Sequence, residues 1–231
     1  MGLSHSPSVP TQSLMLYLDA ANRRSYPGSG TTWFDLSGNG YNGTLVNSPT
    51  FSSSGFFTFN GTNSTASVAK PFPNIVGQIS VEVWVNFASY SNEPVLMHKG
   101  THYTLHMRNS AGTDRWTWAD SSNYSYANFG YRQASGLYAT NTWMQLVCTK
   151  DTSNNVRLYK NGVLVDTRTT FGSALAATNS TLWIVGYSDN DTTPSSGVLN
   201  GSVAVAKVYN GTLSDTDVLR AFSALRGRFG L

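Results

Sequence analysis

The chain has 231 residues and a formal net charge of +3, and only 12% of its residues are charged. A charge this small and scattered argues against binding to nucleic acid and against attachment to an acidic membrane surface. The length fits a single all-β domain, and a hydrophobic share of 40% provides material for a core. Ser, Thr, Asn and Gly replace much of the usual charge, which is typical of an extracellular or particle-borne β protein.

Residues 1–13 differ from the rest of the chain, because they are rich in Ser and Pro and show no hydrophobic periodicity. We expect them to form an extended arm that becomes ordered on a partner, and residues 14–231 to form the folded domain. No stretch has the apolar run of a signal peptide or of a membrane-spanning helix. We therefore expect no membrane insertion, and a chain that either is not exported by the usual route or leaves the cell within a particle.

The predicted strands begin with Leu14–Asp19 and are organised around Ile79–Phe87. In the latter, apolar residues alternate with polar residues and Trp84, and a period of two is typical of a strand with one buried face. Trp84 on the second face indicates that this face is partly covered as well. The single cysteine, Cys148, falls in a predicted strand and is expected to be a buried core residue. Further strands are predicted at 56–61, 66–69, 95–98, 103–108, 115–119, 143–149, 156–160, 163–165, 182–186 and 201–209.

Two local signals fix the connections more sharply. Asn161-Gly162 stands between two apolar runs, and this pair predicts a β-hairpin because a type I′ turn needs positive φ at both central residues. Near the end of the chain, Ser214 and Asp217 have the spacing of a capping box. Val218, Phe222 and Leu225 then follow at helical spacing, which predicts a short C-terminal helix.

Several segments taken in order resemble one family of proteins. They are 35–44, Phe59-Asn60-Gly61, 81–85, 158–162, 199–209 and the closing run 213–231. Together they resemble the laminin-G-like domains of the concanavalin A-like lectin/glucanase superfamily, and the closing run is similar to the end of such domains in tailed-phage structural proteins. The resemblance covers roughly residues 14–229. It implies an all-β fold, a two-sheet antiparallel jelly-roll sandwich, to which the chain adds its short C-terminal helix.

The glucanases of this superfamily use paired carboxylates on a strand of the form Glu-x-Asp-x-Glu. This chain has two glutamates, Glu82 and Glu93, and neither has an acidic residue two or four positions away. No nucleophile elbow, P-loop or zinc-ligand spacing is present, and His98, His102 and His106 are expected to have structural or surface roles. We therefore expect a protein that is not an enzyme.

The resemblance also raises the question of calcium, because related domains often hold one Ca²⁺ at the sheet rim through Asp, Asn and backbone oxygens. The candidate ligands are Asp35, Asn39 and Asn42 in the glycine-rich loop, and Asp189 and Asp191 in a later polar loop. The alternative is that these side chains stabilise turns and cap strands.

A glycan-binding site needs aromatic faces beside a few convergent polar groups. The richest source in this sequence is the set Trp116, Trp118, Tyr124, Tyr126, Tyr131 and Arg132. Two alternatives stay open. The tryptophans, two apart on one strand, could be ordinary core or sheet-surface residues, and the tyrosine-rich stretch could be a subunit contact, since Tyr is enriched at interfaces.

The function expected from these features is that of a virion structural protein of a bacteriophage, a capsid decoration, fibre or tail-associated protein that is assembled in the host cytoplasm. Its expected partners are other virion proteins, contacted through residues 1–13, and carbohydrate on the host cell surface, with a homo-oligomer as a further candidate. The alternative is a free carbohydrate-binding module or adhesin of a bacterial surface protein.

Overall fold

The computed structural model describes residues 8–69, 71–90, 93–100, 102–110, 113–120, 125–129, 139–169, 175, 178–188 and 191–231. Within these ranges, only the backbone is described for 107–110, 113–120 and 125–129. The described part of the chain contains no helix with the length and hydrophobicity needed to cross a bilayer.

Strands dominate the described residues, and one α-helix with a following 3₁₀ turn stands at the end. The strands are β1 Leu14–Asp19, β2 Thr32–Trp33, β3 Gly43–Val46, β4 Thr50–Ser52, β5 Phe56–Asn60, β6 Thr65–Val68, β7 Ile79–Phe87, β8 Val95–Lys99, β9 Tyr103–Ser110, β10 Thr113–Asp120, β11 Ser125–Phe129, β12 Trp143–Lys150, β13 Val156–Lys160, β14 Val163–Arg168, β15 Leu182–Ile184 and β16 Asn200–Tyr209. The helix α1 spans Asp215–Leu225, and the 3₁₀ turn spans Arg226–Phe229.

The strands form two antiparallel sheets of eight described strands each. Sheet A has the order β14-β13-β12-β7-β16-β5-β4, with β1 paired to β16, and sheet B has the order β11-β10-β9-β8-β15-β6-β3-β2. Their inner faces enclose one large hydrophobic core. The predicted all-β jelly-roll sandwich with a short C-terminal helix is therefore confirmed.

Strand β7 lies in the middle of sheet A, between β12 and β16. Its alternate apolar residues, from Ile79 to Phe87, are fully buried in the core between the sheets. Trp84 points to the outer face and is also fully buried. The sequence-based prediction that both faces of this strand are covered is confirmed.

Strand β16 departs from the clean alternation that its sequence predicts. The register between β16 and β7 shifts between Val203 and Val205, as in a β-bulge, where one extra residue is accommodated on one strand. Val203 packs in the inner core, whereas Ala204 and Val205 both pack on the outer face of sheet A. The bulge thus changes the phase of the strand and places Lys207 on the outer face.

The predicted hairpin joins β13 and β14. Lys160 pairs with Val163, and the two residues between them, Asn161 and Gly162, have φ values of 51° and 78°. Positive φ at both positions is the type I′ geometry that fits the right-handed twist of the strands.

The C-terminal segment packs on the outer face of sheet A. Ser214 and Asp217 form the predicted capping box at the start of α1. Phe222 of the helix and Phe229 of the 3₁₀ turn both stack on Trp84, with ring centroids 5.8 and 4.3 Å away. These side chains cover the second face of β7.

The described part of the predicted arm is held against the domain near its end. Pro10 is buried, and the carbonyl of Ser13 accepts a hydrogen bond from the backbone N–H of Asn210 at 2.7 Å. Residues 1–7 lie outside the described residues, so the docking of the arm on a partner stays a prediction.

Candidate functional site

A buried polar cluster lies between sheet A and the C-terminal segment, and Glu82 is its centre. Both the Glu82 and Lys207 side chains are fully buried. The register places Lys207 directly opposite Glu82 on the neighbouring strand, and its Nζ lies 3.1 Å from each carboxylate oxygen. This bidentate contact offsets part of the large cost of removing two charges from water.

Other donors complete the environment of the carboxylate. The indole Nε1 of Trp84 and the amide Nε2 of Gln145 each donate to Oε1 at 3.0 Å. The hydroxyl of Tyr209 approaches Oε2 at 3.4 Å. Burial, together with the adjacent charge of Glu82, raises the pKa of Tyr209 far above its ordinary value, so this phenol stays a neutral donor.

Gln145 links the cluster to the β13–β14 hairpin. Its side-chain Oε1 accepts from the backbone N–H of Gly162 at 3.2 Å, while its own backbone N–H donates to Oδ1 of the Asn161 side chain at 2.9 Å. Because the amide oxygen is used by the turn, the amide nitrogen is directed to Glu82. The carboxylate is thus held by donors from β7, β12 and β16, and no face of it is open to solvent.

A second ion pair fastens the end of the chain. Nη1 of Arg228 lies 2.6 Å from Oδ1 of Asp19, and the same guanidinium donates to the carbonyl of Gly55. Tyr17, whose ring lies 4.9 Å from Nζ of Lys207, connects the two ion pairs through its hydroxyl, 3.4 Å from Asp19.

The glycine-rich loop brings Asp35, Asn39 and Asn42 together, as the calcium prediction requires. Asp35 Oδ1 accepts from the backbone N–H groups of Tyr17 and Ser37, both at 2.9 Å. Its Oδ2 accepts from the Ser37 hydroxyl at 2.7 Å and from the N–H of Tyr41 at 3.1 Å. With these contacts Asp35 stabilises the turn, which is the alternative to metal binding that the sequence analysis left open.

The two asparagines have comparable roles. Asn42 Oδ1 accepts from the N–H of Asp35 at 2.9 Å, and Asn39 donates to the carbonyls of Leu14 and Met15, both at 3.1 Å. A cation here would have to replace several of these hydrogen bonds.

The second pair of candidate calcium ligands belongs to another loop. Asp191 accepts from the N–H of Thr181 at 2.7 Å, and Asp189 lies outside the described residues. Over the described ranges, the structure contains no group of three or more His, Cys, Asp or Glu side chains arranged to hold a metal. Calcium binding stays a prediction.

The predicted aromatic site falls on β10 and β11. Trp118 pairs with Leu105 of β9, which is a core residue. Directly opposite residues share a face of the sheet, so Trp118 and its neighbour two positions earlier, Trp116, occupy strand positions on the core side. Tyr126 pairs with Ala119, one position out of phase, and occupies a position on the outer side. Tyr124, Tyr131 and Arg132 lie outside the described residues.

Tyr126 stands at one end of a transverse row on the outer face of sheet B. The registers align Thr32, Thr44, Ser67, Trp183, His98, Thr104, Ala119 and Tyr126 across the eight strands. Thr44 is exposed and Ser67 is half-buried. The row thus combines hydroxyl-bearing residues with aromatic and imidazole rings. Sequence reasoning missed it because it depends on the register of seven strand pairs.

The centre of the row is covered by the loop after β15. The ring of Tyr187 lies 4.5 Å from that of His98. His98 Nε2 lies 3.2 Å from the carbonyl of Ser188, and its Nδ1 lies 2.6 Å from the hydroxyl of Thr104. A carbonyl can only accept, so Nε2 donates to Ser188, and Nδ1 is bonded to the Thr104 hydroxyl. This is the structural role that was expected for His98.

The chain also matches a known protein-family model. Residues 59–219 match the laminin-G model described as concanavalin A-like lectin/glucanases superfamily. The chain belongs to this superfamily. The matched segment runs from the end of β5 into α1, so it includes β7, Glu82 and most strands of both sheets, and it leaves out β1 to β4.

Solved structures of similar fold come from several kinds of proteins. One is the botulinum neurotoxin serotype D binding domain, with a TM-score of 0.67 and 17% identity over 92% of this chain and 52% of that chain. Another is domain 4 of the extracellular arabinanase AbnA from Geobacillus stearothermophilus in complex with arabinotriose, with a TM-score of 0.66 and 18% identity over 90% of this chain and 98% of that chain.

A third is Trypanosoma rangeli sialidase in complex with sialic acid, with a TM-score of 0.67 and 15% identity over 96% of this chain and 34% of that chain. The chain therefore spans about half of the neurotoxin binding domain and about a third of the sialidase. At these identities the likeness establishes the fold. No curated protein sequence matches the chain.

The buried cluster generates a double-mutant prediction. We expect Glu82→Gln and Lys207→Met each to lower the free energy of unfolding by about 3–5 kcal/mol, because each leaves an uncompensated buried charge. The double variant removes both charges and should cost clearly less than the sum of the two single variants, as measured by urea denaturation. Strict additivity would contradict a paired role.

The exposed ion pair of Arg220 with Asp217 in α1, 2.8 Å apart, provides the control. Arg220→Ala should cost less than about 1 kcal/mol, since exposed pairs are screened by solvent.

The buried tyrosines predict a loss of stability in alkali. Burial, and then the Asp215 carboxylate, raise the pKa of Tyr159 from 10.0 to about 12, and burial raises the pKa values of Tyr17, Tyr103 and Tyr209 further. Above pH 10.0, the unfolded chain loses phenolic protons that the native state keeps. The free energy of unfolding must then fall as the pH rises.

Urea denaturation between about pH 9 and pH 12 measures this fall. Tyr159→Phe should make the decline shallower between about pH 10 and pH 12, since one such phenol is gone. A stability that is constant across this range would contradict the neutral, buried state of these side chains.

Proposed function

We propose that this chain is a non-catalytic binding domain that contacts carbohydrate. One observation carries the proposal: the chain corresponds along nearly its whole length to a separate domain of an arabinanase, of which it covers 98%, and that domain was solved with arabinotriose. The sialidase complex with sialic acid supports the same class of ligand, and the neurotoxin structure is likewise described as a binding domain.

The absence of catalysis is part of the proposal and has physical support. A glycosidase needs a pair of carboxyl groups on either side of the scissile bond. Glu82 is fully buried and is enclosed by Lys207, Trp84 and Gln145 beneath the C-terminal segment. Because it is enclosed in this way, Glu82 cannot act as one of the paired carboxylates of a glucanase. The other glutamate of the chain is Glu93.

The same arrangement favours a ligand site on sheet B. The outer face of sheet A is occupied by α1 and the 3₁₀ turn, and the centre of the outer face of sheet B is covered by the loop after β15, which leaves the ends of sheet B and the loop rims for a ligand. We place the glycan contact at the β10–β11 end of sheet B, around Tyr126. Tyr124, Tyr131 and Arg132 belong to the same tyrosine-rich stretch and are proposed to contribute.

The prediction is that Tyr126→Ala weakens glycan binding by at least about tenfold, equivalent to about 1.4 kcal/mol, because a ring that stacks on a sugar is lost. A glycan array identifies the ligand, and calorimetry with the best sugar measures the change. Tyr126→Phe keeps the ring and should retain most of the affinity.

Trp118→Ala tests the assignment of faces. This position lies on the core side, so the substitution should lower stability rather than affinity of the folded fraction. Unchanged affinity in Tyr126→Ala, with an intact fold, would remove this site from the proposal.

The second proposal concerns where the domain works. We propose that it is a structural protein of a bacteriophage particle, assembled in the host cytoplasm, which contacts other virion proteins through residues 1–13 and carbohydrate on the host surface. The closing run 213–231 supports this idea through its similarity to the ends of phage domains, as does the low charged share of 12%. A free carbohydrate-binding module is the alternative.

We expect antibody–gold labelling of purified particles from the source to mark this protein on the head, tail or fibre. A variant without residues 1–13 should remain folded and should be absent from particles. Particles without label would overturn the virion assignment and leave the free binding module, whereas the glycan measurements above are independent of this outcome.

A further inference from the structure

One lysine and one asparagine meet where the two sheets approach each other at an end of the sandwich. Lys99 is the last residue of β8 in sheet B, and Asn74 lies in the segment that leads into β7 of sheet A. Nζ of Lys99 donates to Oδ1 of Asn74 at 3.0 Å and to the carbonyl of Thr178 at 2.9 Å. The amine is therefore adjacent to the carbonyl group of a side-chain amide.

The environment of the amine favours its nucleophilic form. Lys99 is fully buried, and this burial lowers the pKa of its amine from 10.5 to about 8, although the charge of Asp191 acts in the opposite direction. An amine with a pKa near 8 is partly neutral at the pH of most cells, and only the neutral amine carries the lone pair that attacks a carbonyl carbon.

The amide is polarised at the same time. Asn74 Oδ1 also accepts from the backbone N–H of Thr178 at 3.0 Å. A main-chain N–H directed at this oxygen stabilises the negative charge that develops on it when the carbonyl is attacked, as donors do in an oxyanion hole. Asn74 itself is exposed, so a leaving group can escape to solvent.

We propose that Lys99 and Asn74 form an intramolecular isopeptide bond. The neutral Nζ attacks Cγ of Asn74, and the Nζ–Cγ bond forms while negative charge collects on Oδ1. The proton lost by Nζ passes to Nδ2, the Cγ–Nδ2 bond breaks, and ammonia leaves. No electron is transferred and no further reagent is consumed.

The bond would have a mechanical consequence. It closes a loop that contains all of β7 and joins the entry of this sheet A strand to the end of β8 in sheet B. A covalent link of this kind restricts the unfolded chain, as a disulfide does, and it does so without cysteine pairs, of which this chain has none.

A comparable lysine–asparagine pair in the same chain serves as the internal control. Nζ of Lys150 donates to Oδ1 of Asn154 at 2.7 Å, and Lys150 is also fully buried. Among the described contacts, however, Asn154 Oδ1 has no main-chain N–H directed at it. The expected cross-link is therefore confined to Lys99 and Asn74.

Mass spectrometry of the full-length protein tests the proposal. After incubation of the folded protein at about pH 9, above the pKa of Lys99, the intact mass should be lower than the sequence mass by one ammonia. Trypsin should not cleave after Lys99, and since it also does not cleave between Lys70 and Pro71, a continuous peptide 25–108 should carry the same deficit. This peptide should give no backbone fragments between residues 74 and 99. Ordinary deamidation of an asparagine adds water after ammonia leaves and leaves the lysine cleavable, so it is distinguished.

Two variants complete the experiment. Asn74→Ala, at an exposed position, should fold and abolish the mass deficit, whereas Asn154→Ala should retain it. A folded protein whose mass equals the sequence mass, with Lys99 cleaved by trypsin, would overturn the proposal, and so would a deficit that persists in Asn74→Ala.

Discussion

The ion pair between Glu82 and Lys207 is the constraint on which the rest of sheet A depends. Two fully buried charges are tolerated only where each is paired and its remaining hydrogen-bonding capacity is used. Trp84, Gln145 and Tyr209 supply those contacts, but they do not exclude water by themselves. The helix and the 3₁₀ turn do so by stacking Phe222 and Phe229 on Trp84. The C-terminal segment is therefore required by the charges beneath it, and the charges in turn fix where that segment packs.

This arrangement makes the two outer faces of the sandwich unequal. Sheet A is covered by the C-terminal segment, whereas on sheet B the loop after β15 covers only the centre of the transverse row. The exposed Thr44 lies towards one end of that row, and the strand position of Tyr126 lies at the other end. A sugar presents hydroxyl groups at its edges and C–H groups on its faces, and a surface with both aromatic and hydroxyl groups matches it. Because α1 and the 3₁₀ turn cover the outer face of sheet A, the proposed ligand site lies on sheet B. This argument is stronger than one from the aromatic composition of any one strand.

The features predicted correctly from the sequence are those that local chemistry determines. The alternation in β7, the Asn161-Gly162 turn and the Ser214–Asp217 capping box each depend on neighbours within a few residues. The partners of Glu82 could not be predicted in this way, because Lys207 faces it only after the bulge at Ala204 has changed the phase of β16. Likewise, Trp118 and Tyr126 are both aromatic residues of the segment that sequence analysis selected as a glycan site. Only the strand register assigns their positions to opposite sides of sheet B.

The rim loops show how this chain orders irregular backbone with few charges. Asp35 accepts four hydrogen bonds within its loop, and Asn60 Oδ1 accepts the backbone N–H groups of Thr62, Asn63 and Ser64. In these loops, several N–H groups point at one side-chain oxygen and donate hydrogen bonds to it. A loop that binds a cation needs the opposite arrangement, in which several oxygen atoms point at the metal. The two solutions compete for the same oxygens. Calcium at Asp35, Asn39 and Asn42 would therefore require the loop to exchange its present hydrogen bonds for metal contacts.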